Sequence, residues 1–122
     1  MNKIKVLNVD DSPFIHKAVA RALNSEEYEL CAVAKNGREG YELYFSQTPD
    51  VVVMDITMPI MDGLEASAVI LEKDPHAKII MLSAMGDDEL ISNAKAIGIK
   101  EFLQKPFKAD ELTSAIQKII KE

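Results

Sequence analysis

The chain has a single cysteine, Cys31, in 122 residues, so no internal disulfide can staple it. Cys31 lies in the apolar run Leu30-Cys31-Ala32-Val33-Ala34, where the expectation is a buried small hydrophobe. Positive charge is also in short supply. Fourteen Lys and Arg stand against twenty Asp and Glu, a formal net charge of −6. A phosphate backbone needs a basic face, so direct nucleic-acid binding by this chain is not expected. No apolar run approaches the ~18 residues of a membrane-spanning helix. The N-terminal apolar run is cut by Asp10, so it is not expected to act as a secretory signal. The expected location is therefore the cytoplasm, with no membrane partner. Internal repeats, low-complexity tracts and linkers are absent too. That leaves one domain over residues 1–122, long enough for a core of its own.

What is present is an alternation of short apolar runs and helical stripes. Ile4 to Val9 is apolar and ends in the adjacent acids Asp10-Asp11. Ser12-Pro13 follows, a capping hydroxyl and then proline at the first helical position. Ile15, Ala18, Val19, Ala22 and Leu23 recur at helical spacing. Tyr28 to Ala34 reads as a second strand. Asn36-Gly37 marks a turn, and a helix is predicted from Arg38 to about Gln47, broken by Pro49-Asp50. Val51 to Met54 is a third strand ending in Asp55. The loop Ile56 to Gly63 carries the breakers Pro59 and Asp62-Gly63, and Leu64 to Lys73 reads as helix. Ala77 to Leu82 is a fourth strand ending at Ser83. Gly86-Asp87-Asp88 opens a helix to Ile97, closed by Gly98. Glu101 to Gln104 is a fifth strand ending at Lys105-Pro106, and Leu112, Ala115, Ile116, Ile119 and Ile120 stripe a last helix.

Five strands thus alternate with five helices. Strands apolar at nearly every position are buried on both faces, which gives an α/β, doubly wound parallel sheet with helices on either side. Asn8 is a misfit in the first strand, because a buried amide needs hydrogen-bond partners of its own. A structural explanation is expected for it, and no functional one offers itself. In open parallel sheets, ligands bind beyond the carboxyl ends of the strands, at a switch in strand order. Here the ends of the first, third, fourth and fifth strands carry Asp10-Asp11, Asp55, Ser83 and Lys105. The bland reading of Asp10-Asp11 is a solvated turn, and the polar groups at the other three strand ends weigh against it.

In this order, with the loop D-I-T-M-P-I-M-D-G, these residues resemble a receiver domain of a two-component response regulator, of the stand-alone chemotaxis type. The resemblance spans essentially the whole chain. It implies a flavodoxin-like sheet in the order 2-1-3-4-5, for which a chemotaxis receiver is itself a standing example. In that order the first and third strands are neighbours, so the three acids converge. Two carboxylates 4 Å apart repel by roughly 4 kcal/mol at an effective dielectric of 20, and a divalent cation reverses the sign. Oxygen-only donors that leave room for water suit Mg²⁺. By resemblance, Asp11 and Asp55 ligate it directly, Asp10 acts through water, and the Thr57 carbonyl adds an oxygen.

The resemblance also implies the chemistry. Asp55 is the phospho-acceptor, and its carboxylate attacks phosphorus to give an aspartyl phosphate. Lys105 and the Ser83 hydroxyl stabilise the transferred group, in a reaction that needs positioning and charge neutralisation above all. Lys105–Pro106 resembles the family's cis peptide. The donor is expected to be a histidine kinase or a phosphotransfer protein, and a phosphatase is a further partner. The chain then catalyses its own phosphorylation and dephosphorylation, with no separate small-molecule substrate. Thr57 and Met85 occupy the places that tune hydrolysis in the family. Neither is a general base, so a modest intrinsic rate is expected.

The switch residues implied are Ser83 and Phe102, with output through the face formed by the fourth helix, fifth strand and fifth helix. Ile91, Lys95, Ile99, Phe102 and Lys108 are the expected contributors. Met58 and Met61 are equally an adaptable partner surface or ordinary loop packing, and His16 and His76 are expected to be exposed. A Mg²⁺-dependent phosphohydrolase would place its first two acids two residues apart, not adjacent. An FMN binder would need a Ser/Thr/Gly-rich loop where D-D-S-P-F stands. A receiver that is never phosphorylated would have lost an acid or the lysine. The alternative to a stand-alone regulator or phosphorelay intermediate is a piece of a longer regulator with a DNA-binding or enzymatic output.

Overall fold

The computed structural model describes residues 2–122. Five strands, β1 (Ile4–Val9), β2 (Tyr28–Ala34), β3 (Val51–Asp55), β4 (Ile79–Ser83) and β5 (Glu101–Gln104), alternate with five helices. These are α1 (Pro13–Ala22), α2 (Gly37–Gln47), α3 (Gly63–Lys73), α4 (Asp88–Ala96) and α5 (Ala109–Ile120). The strands form one parallel sheet in the order β2-β1-β3-β4-β5, the order expected.

Local chemistry sets most boundaries. Ser12 caps α1 through its side chain, with Pro13 behind it. Asn36 caps α2, so this helix begins at Gly37, one residue before the predicted start. Asp62 and Glu65 form a reciprocal capping box at α3. Gly98, at φ 109, ends the α4 segment in the left-handed conformation that glycine adopts without steric cost. β4 starts at Ile79 and not at Ala77, whose N–H is held in a turn by the Asp74 carbonyl.

Two apolar layers enclose the sheet. Leu7, Val9, Val52, Met54, Ile79 and Met81 project with α2, α3 and α4 on one side. Val6, Val51, Val53, Ile80 and Leu82 project with α1 and α5 on the other. Every residue of β3 and β4 is buried, as central strands covered on both faces require. Edge strands are less protected. Cys31 is half-buried and not buried, because β2 lies at the sheet edge. The β1–β2 register shifts there, with Val6 opposite Leu30 and Leu7 opposite Ala32, so Cys31 is the unpaired residue of a bulge. Burial still raises its thiol pKa above the ordinary value. At the opposite edge, the buried Glu101 is paired with Lys118 Nζ at 3.3 Å, which ties α5 to β5.

Candidate functional site

The acids at the ends of β1 and β3 meet at the carboxyl edge of the sheet. Val9 pairs with Met54, so Asp10 and Asp55 are the next residues along two adjacent strands. One carboxylate oxygen from each of Asp10, Asp11 and Asp55 lies within 4.8 Å of the others. The adjacent pair divides by burial: Asp10 is fully buried and Asp11 is exposed. Asp10 Oδ1 accepts from the Ser12 N–H at 2.9 Å, which couples the acid to the cap of α1. All three donors are hard oxygens, and Asp11 keeps one side open to water. That is a set suited to a hard divalent cation.

Lys105 enters from the far side. Its backbone N–H donates to the Ser83 carbonyl at 2.7 Å, and the Lys105–Pro106 peptide is cis. Its Nζ lies 2.9 Å from Asp10 Oδ2 and 3.1 Å from Asp55 Oδ1. Asp55 Oδ1 also accepts from the Ile56 N–H at 2.9 Å. Both hydrogen bonds to the Asp55 carboxylate among the described residues therefore fall on Oδ1, leaving Oδ2 for an incoming group. Burial, and then the neighbouring Asp10, push the Asp55 pKa up to about 6 in the metal-free chain, against the pull of Lys105. Burial works against the Lys105 ammonium, but Asp10 and then Asp55 outweigh it and hold its pKa above the ordinary value.

Ser83 is buried at the neighbouring strand end, and its link to the cluster is the carbonyl that receives Lys105. Thr57 is exposed in the loop after β3. Phe102 is half-buried on β5, with Lys95 Nζ 5.8 Å from its ring centroid. Ile91 is half-buried, and Lys95 and Lys108 are exposed, so these remain available on the α4-β5-α5 face. Ile99, at 3% exposure, is core and not part of that face, because it follows the turn of Gly98 inward. Met58 is buried and Met61 packs against the same core, so both serve loop packing. His76 is exposed; His16 is only partly so, and its Nε2 is buried without a hydrogen-bond partner.

Some features of the Ile56 to Gly63 loop were not legible in the residue pattern. Gly37 N–H donates to the Met61 carbonyl at 2.8 Å, which clamps the loop against the start of α2. A Cβ at Gly37 would stand 2.6 Å from the Met61 and Asp62 carbonyl oxygens, so only glycine permits this approach. Ile60 is held at φ 70 and is 80% exposed, a costly conformation for a β-branched side chain. Asn-Gly spacing signals a turn, but no local pattern announces a contact across 24 residues.

Comparison with known proteins agrees with this arrangement. Residues 6–117 match the response regulator receiver domain family. The chain is 44% identical to the chemotaxis protein CheY of Listeria monocytogenes, over 97% of this chain and 99% of that one. It is 41% identical to CheY of Thermotoga maritima, over 96% and 98% of the two chains. A crystal structure of the CheX–CheY–BeF3–Mg²⁺ complex from Borrelia burgdorferi superposes with a TM-score of 0.88 at 33% identity, covering 95% of this chain and 88% of that one. With its acids, lysine and sheet order in place, this chain belongs to the response regulator receiver domain family, whose general function is signalling by phosphorylation.

Proposed function

We propose that the chain is a phosphorylation-activated signalling receiver that takes a phosphoryl group onto Asp55 from a histidine kinase or phosphotransfer protein. The observation that carries this is the convergence of three carboxylate oxygens within 4.8 Å, with Lys105 Nζ touching two of the three acids. Asp10, Asp11 and Asp55 fit Mg²⁺ by donor type, and the Thr57 carbonyl is the further oxygen. When bound, Mg²⁺ would neutralise the acids and the charge on the incoming phosphoryl oxygens.

Asp55 Oδ2 is the nucleophile. Its lone pair forms the new O–P bond as the P–N bond of the donor phosphohistidine breaks. The imidazole nitrogen leaves with the electron pair and takes up a proton. Lys105 contributes a point charge to one phosphoryl oxygen, and the Ser83 hydroxyl donates to another. Asp55 itself is only 8% exposed, so a protein donor must cover the rim around it. The segments that follow β1, β3 and β4 at this edge of the sheet carry Phe14, Ile60 and Met85, which are 83%, 80% and 87% exposed and offer apolar surface to such a donor. Once phosphorylated, Ser83 and Phe102 shift together and alter the α4-β5-α5 face that a downstream effector reads. A phosphatase is a further partner at the same site.

The output reading is a stand-alone, chemotaxis-type regulator, supported by CheY relatives that match over 98–99% of their own length. The test is chemical. After incubation with acetyl phosphate and Mg²⁺, borohydride reduction converts an aspartyl phosphate to homoserine. Peptide mapping is expected to find homoserine at position 55. Homoserine elsewhere, or none, contradicts the assignment.

A further inference from the structure

Asn8 is the one polar residue in the Val6–Val9 stretch of β1, and it is fully buried. Its Nδ2 donates across to the Val53 carbonyl of β3 at 3.2 Å. Its Oδ1 is buried with no hydrogen-bond partner. An unsatisfied buried acceptor is destabilising, and the nearby side chains of this layer, Val6, Val53 and Ile80, are apolar. An aliphatic residue would pack there without that penalty, so packing alone does not account for the amide.

Register supplies an account. Asn8 stands opposite Val53, and the ladder ends one pair later at Val9 and Met54. Asp10 and Asp55 lie just past that last pair. Side chains alternate along a strand, so Asn8 and Asp10 share one face, as do Val53 and Asp55. The Asn8–Val53 bond therefore lies one layer beneath the two acids, near the open end of the β1–β3 ladder. Like charges at that end, which the Lys105 ammonium against both acids offsets only in part, push the two strands apart, and a side-chain bond across them resists the splaying.

We propose that Asn8 is a positioning residue: its side-chain bond ties β1 to β3 and holds the Asp10 and Asp55 carboxylates at the separation a bridging cation needs. This rests on the reading of those acids as a metal and phosphoryl site.

The test compares the full chain with Asn8→Val and with Asn8→Thr, which has the shape of valine but keeps a hydroxyl donor. Three quantities are read: the thermal midpoint without metal, the Mg²⁺ dissociation constant by calorimetry, and the rate of phosphorylation by acetyl phosphate at saturating Mg²⁺. Asn8→Val is expected to unfold at the same or a higher temperature, yet to bind Mg²⁺ about fivefold more weakly, the effect of one lost hydrogen bond. Its phosphorylation slows as well. Asn8→Thr recovers part of the affinity at a similar midpoint. Wild-type Mg²⁺ affinity in Asn8→Val overturns the proposal. So does a lower midpoint accompanying the weaker binding, which would mark a merely structural role, and so does Asn8→Thr binding no better than Asn8→Val. A wild type that binds no Mg²⁺ overturns the functional reading itself. A wild type that binds it, with Asn8→Val unchanged, overturns only the role of Asn8.

Discussion

Lys105 Nζ stands 2.9 Å from Asp10 Oδ2 and 3.1 Å from Asp55 Oδ1, so one ammonium spans two buried acids from different strands. Without metal, this lysine is the only cation within salt-bridge distance of either acid among the described residues. On the proposed reading, a bound Mg²⁺ would share both acids with it.

Lys105→Met therefore separates two effects. Removing one partner from a buried charge set costs about 3–5 kcal/mol, so urea unfolding in EDTA is expected to show a marked loss of stability. Mg²⁺ should restore much of it and bind more tightly than in the wild type, because a competing cation has gone. Phosphorylation should slow even at saturating Mg²⁺. Unchanged Mg²⁺ affinity would contradict the shared-acid geometry.

The raised Asp55 pKa fixes the sign of a pH effect. Folded Asp55 holds a proton up to about pH 6, whereas the unfolded residue loses it near its ordinary value of 3.8. The stability this group contributes is present below 3.8 and is lost as pH rises through about 6. In metal-free buffer at pH 7, Asp55→Asn should thus be more stable than the wild type, by up to about 3 kcal/mol. The advantage should vanish at pH 4 and on adding Mg²⁺. Denaturant melts across pH 4–8 with EDTA decide it.

Away from the site, Tyr44 of α2 donates to Asp74 Oδ2 at the end of α3, at 2.5 Å. Burial, and then this carboxylate, push the phenol pKa well above its ordinary value. Tyr44→Phe is expected to cost about 1.5–3 kcal/mol, as for a hydrogen bond to a charged group. Mg²⁺ affinity should be unchanged, since the bond lies between the helices and not at the acids.

Gly37→Ala tests the clamp on the acceptor loop. The added methyl would meet the Met61 and Asp62 carbonyls at 2.6 Å, so backbone must move. Both lower stability and slower phosphorylation are expected, read by thermal melts and acetyl phosphate kinetics. Normal kinetics with lowered stability would confine Gly37 to packing.

Part of the candidate site was legible because Asp10, Asp55 and Ser83 each end an apolar run. Lys105 follows the polar end of the short β5, so its place, like the strand order that brings the acids together, came from the family resemblance. Ser12-Pro13 marks the start of α1 by local chemistry alone. What escaped the sequence is long-range. The pairing of Asn8 with Val53 joins residues 45 apart, and the bulge at Cys31 depends on the neighbouring strand. Ile99 was expected on the output face by analogy with the family alone, but the left-handed Gly98 turns it into the core.

The most direct test of the account is the intact mass of the full chain after incubation with acetyl phosphate and Mg²⁺, for wild type and Asp55→Asn. One added phosphoryl group on the wild type alone, abolished by EDTA, is the predicted result. An adduct that persists in Asp55→Asn, or a wild type that gains none, would contradict the assignment of Asp55 as the metal-dependent phospho-acceptor.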